Sequence, residues 1–166
     1  MNSDSQVVVK ALPPESVAEN DLIAFKLMVI AGGEVNAETL AGLVSRALTL
    51  GYARIGEEIV GVSAIKRPNP GYRASVFGKA GAKQEPYKFE YELGWVHVHP
   101  SARGRGIGNE LVEVLIPSLN GALVYATSHV NNARMHKSLQ RFGFEPVGLP
   151  YPSGLNDLPI QLFVRE

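Results

Sequence analysis

A chain of 166 residues with 45% hydrophobic and 19% charged residues has the composition of a folded domain, not of a disordered segment, and is long enough to bury a core without cross-links. Sixteen lysines and arginines balance sixteen aspartates and glutamates, which removes any global pull towards nucleic acid or anionic lipid, and the lack of cysteine excludes disulfides and thiol catalysis. No apolar run approaches the roughly 20 residues of a membrane span, and MNSDSQVVVK lacks the basic-then-apolar order of a secretory signal, so a cytoplasmic setting is expected.

In chain order, Val7 to Ala11 predicts a short strand. PPESVAENDLIAFKLMVIAGG predicts a helix, with a Pro-Pro start, early acids, Leu22, Phe25 and Val29 at helical spacing and a Gly32-Gly33 stop. Asn36 caps a second helix, AETLAGLVSRALTLG, with Leu40, Leu43, Val44, Ala47 and Leu48 on one face and Gly51 at its end. YARIGEEIVGVSAIKR alternates around a turn at Glu57-Glu58, and YKFEYELGWVHVHP is a third β-rich run, separated from the first two by a Pro/Gly-rich loop from Arg67 to Pro86. Helical periodicity returns from Asn109 to Leu119, GALVYATS reads as a buried strand, and NNARMHKSLQRF is a helix closed by Gly143. FEPVG and PIQLFVRE are two final strands around the turn-rich YPSGLND. The expected order is βααβββαβαββ, in one domain over residues 1–166.

The stretch from Arg103 to Gly108, RGRGIG, follows a strand end at Val96–Val98 and runs into a helix N-terminus. Unpaired amides and the positive end of a helix dipole meet there, and glycines let a ligand approach the backbone, so the stretch suits a diphosphate. No Gly-Lys-Ser/Thr follows, and the spacing misses Gly-x-Gly-x-x-Gly, which argues against the ATP-binding and dinucleotide-binding loops.

VHVHPSARGRGIG resembles motif A of the GNAT superfamily of acetyl-CoA-dependent N-acyltransferases, Arg/Gln-x-x-Gly-x-Gly/Ala, here Arg103, Gly106 and Gly108. NNARMHKSLQRFGFEPVG is similar to motif B, a helix opened by Asn and closed by Gly-Phe, here Gly143-Phe144. The resemblance implies an α/β (α+β) fold whose mixed, mostly antiparallel central sheet splays between the fourth and fifth strands and is flanked by helices. It implies acetyl-CoA as co-substrate, with the pyrophosphate on Arg103, Gly104, Arg105, Gly106, Ile107 and Gly108, and the pantetheine arm on the backbone of Val96, His97 and Val98. One amide of that strand would act as oxyanion donor. Asn131 or Asn132 resembles the asparagine near the coenzyme, although either can equally cap the helix.

An alkyl amine with a pKa near 10 is only about one part in a thousand neutral at pH 7, so transfer calls for a base. Glu92 stands eleven residues before Arg103, the spacing of the catalytic glutamate in histone-acetylating members, and strand alternation puts it on one face with Gly94, Val96 and Val98. A solvated strand carboxylate is the plain alternative, and Glu90 is the reserve. His97 and His99 form a His-x-His pair without further ligands, and no metal is expected. Many members use a tyrosine where this chain has Leu139 to protonate the leaving thiolate; Tyr125, Tyr151 or water would substitute.

Lys66, Arg67, Arg73, Lys79 and Lys83 lie in a stretch without acids, interleaved with Tyr72 and Phe77. This leaves room for an anionic acceptor, with a solvated loop as the alternative. The expected activity is acyl transfer to a primary amine of a small molecule or peptide by direct attack in a ternary complex. The alternative is a non-catalytic acyl-CoA-binding module. Membrane and nucleic acid are disfavoured as partners, and a homodimer is compatible with this expectation.

Overall fold

The computed structural model describes residues 6–33, 35–154 and 158–166. The first five residues of MNSDSQVVVK and the last three of the YPSGLND turn lie outside the described residues. The described elements are β1 (Val7–Leu12), α1 (Glu19–Ala31), α2 (Ala37–Arg46), β2 (Thr49–Ile55), β3 (Glu58–Lys66), α3 (Pro70–Ala80), β4 (Tyr91–Val98), α4 (Ile107–Glu113), β5 (Val124–His129), α5 (Ala133–Arg141), β6 (Glu145–Pro152) and β7 (Pro159–Arg165). The strands form one sheet in the order β1-β2-β3-β4-β5-β7-β6. The β4–β5 pair is parallel and comprises two residue pairs, Tyr91 with Val124 and Glu92 with Tyr125. The β1–β2, β2–β3, β5–β7 and β6–β7 pairs are antiparallel, so the sheet is mixed and mostly antiparallel, with flanking helices. Among the described residues no helix is long and apolar enough to cross a membrane.

The chain clusters into two units: one runs up to Lys66 and includes Gly94–Ser118, and the other comprises Arg67–Leu93 and Leu119–Glu166. In the first unit β1, β2 and β3 form a meander. One face buries Phe25, Val29, Leu40, Val44, Leu50, Tyr52, Val62 and Ala64, the intended apolar faces of α1 and α2 among them. Ala53, Val60, Ala102, Ile107 and Leu111 form a second cluster, joined by Val98. Each fully buried large side chain contributes roughly 1.5–3 kcal/mol.

The second helix is shorter than expected. It ends at Arg46, and Gly51 lies inside β2 instead of stopping the helix. The physical reason is space: a Cβ on Gly51 would collide with Ser63 Oγ, whose hydroxyl donates to the Leu111 carbonyl at 2.9 Å.

The second unit contains the main correction to the expected order. The stretch from Arg67 to Pro86 is not an irregular loop: it holds α3, which gives βααββαβαβαββ. The Asn69 side chain accepts from Gly71 N, Pro70 occupies the first turn, and Gly81 closes the helix at φ 65°. Val76, Phe77 and Ala80 of α3 pack with Phe89, Tyr125, Tyr151, Leu162 and Val164. The sixth strand extends beyond FEPVG to Pro152, with a register irregularity between Val147 and Tyr151. Gly148 there has φ 68°, and a Cβ on it would collide with the Ala80 carbonyl oxygen.

Candidate functional site

In the first unit, β4 ends at Val98 and a 3-10 turn at Pro100–Ala102 leads into the glycine-rich stretch. Gly104 and Gly106 have φ 82° and 76°, and nothing lies within 4 Å of a Cβ built on either. Left-handed backbone with open space above it is what a close-approaching anion needs, and these residues fit a diphosphate on those grounds. Ile107 is buried in the second core cluster, so its side chain packs and only its backbone is available. Arg103 and Arg105 are exposed, and Arg103 Nε donates to the Val98 carbonyl at 3.1 Å, tying the guanidinium back to the strand end.

His97 is half-buried, and its pKa is lowered by burial first, then by the charges of Arg103 and His99. His99 Nδ1 lies 2.7 Å from Ser101 Oγ and accepts from Ser101 N at 3.2 Å, so this ring caps the 3-10 turn. Among the described residues no group of three or more His, Cys, Asp or Glu side chains could hold a metal ion.

Trp95 interrupts β4. Its φ is 55°, a left-handed conformation that bulky residues rarely adopt. Strict alternation does not continue through such a residue, so the parity argument linking the face of Glu92 to those of Val96 and Val98 does not hold across Trp95.

In the second unit Glu92 is 4% exposed, which removes the solvated-carboxylate alternative. Glu90 is exposed and lies 3.8 Å from Arg67, an ion pair in water. Three phenols sense the Glu92 charge. The Tyr125 pKa is raised by burial first and then by that charge. Tyr151 is pushed up to about 12 by burial and then Glu92. Half-exposed Tyr72 is also raised, with Glu92 as the largest cause. Arg73, beside Tyr72 on α3, donates to the Phe89 carbonyl at 3.1 Å.

Asn132 caps α5, its Oδ1 accepting from Met135 N at 3.2 Å, while Asn131 is exposed. Leu139 is fully buried on α5. The phenol missed in the sequence is Tyr72, and the signal that could have found it is the Asn69-Pro70 helix start with Gly81 as its stop. The basic stretch is largely committed to the fold: Lys66 lies 5.1 Å from the Trp95 ring centre, Arg67 lies 5.5 Å from that of Tyr91, and Arg73 holds Phe89.

These features describe a mixed sheet flanked by helices, with an open glycine-rich entry to α4 and a buried carboxylate on β4. The chain belongs to the acetyltransferase (GNAT) family, which it matches over residues 38–144, more than half its length. A stretch of 61 residues is 36% identical to the N-alpha-acetyltransferase RimI of Mycobacterium tuberculosis (strain ATCC 25618 / H37Rv), covering 37% of this chain and 39% of that protein, well short of its whole length. The fold is similar to that of Escherichia coli ElaA, at 19% identity and a TM-score of 0.69 over 97% of this chain and 100% of the other. It is also similar to a chain of the NatC complex bound to Gag peptide and CoA, at 15% identity and a TM-score of 0.72 over 96% and 98% of the two chains.

Proposed function

We propose that this chain, as one transferase domain over residues 1–166, moves an acetyl or related acyl group from acetyl-CoA to a primary amine, with both substrates bound together. The observation that carries this is the strand end of β4 running through left-handed Gly104 and Gly106 into α4, in a chain of the GNAT family. Acetyl-CoA, when bound, supplies an activated thioester. The amides from Arg103 to Gly108 hold its diphosphate, with Arg103 and Arg105 adding charge, and the backbone of Val96, His97 and Val98 holds the pantetheine arm. The capping contact of Asn132 leaves Asn131 as the better candidate for a coenzyme contact.

Glu92 takes the proton of the attacking amine; the new N–C bond forms as the C–S bond breaks, and the thiolate accepts a proton from a hydroxyl or water. With Leu139 unable to donate, Tyr125 and Tyr151 are the hydroxyls nearest in role. A RimI relative and a peptide-bound structural neighbour support a peptide or protein amine among the acceptors. An anionic acceptor would rely on Lys79 and Lys83, since the other cations of that stretch serve the fold. A donor of this kind fits a cytoplasmic setting, and a homodimer is compatible with the proposal.

The test is release of free thiol from acetyl-CoA against a panel of amines and N-terminal peptides. Acceptor-dependent release supports transfer. Tight coenzyme A binding without release from any acceptor favours the binding module, the second possibility, which Leu139 motivates.

A further inference from the structure

Arg73 stands near the start of α3, one helical turn before Phe77, so the two side chains leave the helix on the same face. Phe77 is 1% exposed there and meets the Phe89 ring at a centroid distance of 5.1 Å and the Tyr125 ring at 5.3 Å. Arg73 Nη1 donates to the Phe89 carbonyl at 3.1 Å, and that bond fixes the guanidinium without exhausting its N–H groups. Its Nε is buried with no hydrogen-bond partner, and so is the Tyr125 hydroxyl. A buried donor left without an acceptor is costly, and a charged one more so, which points to an oxygen that arrives with a ligand.

Tyr125 is also the strand partner of Glu92. The Glu92 charge raises its pKa and the Arg73 charge lowers it, so a negative and a positive group both act on one buried phenol. Tyr72, next to Arg73, is 50% exposed, so this corner of α3 opens to solvent. An acceptor that brings its nitrogen to Glu92, the base proposed above, and an oxygen to Arg73 complements both charges. A plain alkyl amine has no such oxygen, whereas an α-amino acyl group carries a carbonyl on the carbon next to the one that bears the amine. Resting on that functional proposal, we propose that Arg73 is a specificity-determining residue whose Nε donates to the carbonyl oxygen beside the acceptor's α-amine, so that the chain prefers an α-amino acyl group, of a free amino acid or a chain N-terminus, over a plain alkyl amine.

The test compares L-alaninamide with isopropylamine, which has the same branched carbon but no carbonyl, each rate referred to the neutral amine. The wild type is expected to favour alaninamide in kcat/KM by about tenfold or more, and Arg73→Lys, which keeps the charge but not the guanidinium Nε, to lose most of that preference. The coenzyme A Kd should stay within about twofold, because the glycine cradle is untouched. A purely structural Arg73 would slow both amines alike, and an unchanged ratio in the variant overturns the assignment. A wild type that uses isopropylamine as well as alaninamide overturns it without any variant. If Arg73→Lys does not fold, Arg73→Gln, whose amide is also a donor, is read in the same way. L-Alanine and an alanine-led peptide separate a free amino acid from a chain N-terminus as the acceptor; preference for either over isopropylamine supports the assignment, and preference for neither overturns it. If no amine releases thiol, the functional proposal fails, and calorimetric titration of the protein with alaninamide and isopropylamine judges Arg73 instead: tighter alaninamide binding supports its role and equal Kd values overturn it.

Discussion

Gly106→Glu tests the cradle with little interference from the fold. Gly106 sits at φ 76° with nothing within 4 Å of a built Cβ, so the substitution meets no atom and carries only the left-handed strain, about 1–2 kcal/mol. In a domain of this size that lowers Tm by about 2–4 °C per kcal/mol, and the variant should still fold. Binding should suffer more. A carboxylate about 5 Å from a diphosphate charge is repelled by about 1–3 kcal/mol at an effective dielectric constant of about 80 down to 20. That corresponds to a roughly 5- to 150-fold weaker Kd, before counting any amide it blocks. Calorimetric titration with coenzyme A measures it, with denaturation curves confirming the fold and Gly42→Glu, on exposed α2 with nothing within 4 Å, as the charge control. The defect should shrink as salt is raised. A folded Gly106→Glu protein with wild-type coenzyme A affinity would refute the cradle.

Glu92→Gln should lower kcat by roughly 10² to 10⁴ at pH 7 and recover towards wild type as pH nears the amine pKa of about 10; wild-type kcat at pH 7 moves the base elsewhere. The same variant should lower the pKa of Tyr72, Tyr125 and Tyr151, each of which the Glu92 charge raises; ultraviolet titration of single-tyrosine variants reads this, and unchanged titration of all three would contradict the cluster. All three phenols have folded pKa values raised above the ordinary value near 10, so the stability they contribute is complete below pH 10. It is lost as pH rises through about 12 for Tyr151 and higher for the other two, and urea midpoints that stay flat from pH 9 to 12 would contradict the cluster. Gly148→Ala should destabilise by about 2–4 kcal/mol, since it adds left-handed strain to a collision with the Ala80 carbonyl; a change under about 0.5 kcal/mol in urea denaturation would mean that β6 and α3 separate readily.

Much of the fold was legible because its signals are local. Asn36 and Asn132 do cap α2 and α5, and Gly56 lets the chain turn between β2 and β3 at φ 61°. Helix α3 was equally local, but a density of proline, glycine and cation outweighed its capping pair. Gly51 misled for the opposite reason: a glycine after a helical run looks like a stop, yet its cause is Ser63, twelve residues on and across a strand pair. At the candidate site, spacing could pick out Glu92 but not its burial, because its strand partner Tyr125 comes from β5, far along the chain. The left-handed turn at Trp95 has no sequence signature, because the residue that adopts it is one that propensity assigns to a regular strand.

The contact of Gly148 with the Ala80 carbonyl has a mechanical side. Backbone lies directly against backbone there, with no side chain to act as a bearing, so α3 and β6 cannot slide past one another without breaking the fit. The first turn of α3 carries Tyr72 and the end of β6 carries Tyr151, two of the three phenols that feel the Glu92 charge. Any breathing of this unit that swings α3 therefore carries both hydroxyls as one rigid piece, and the spacing between them survives motions that would scatter residues borne on independent loops.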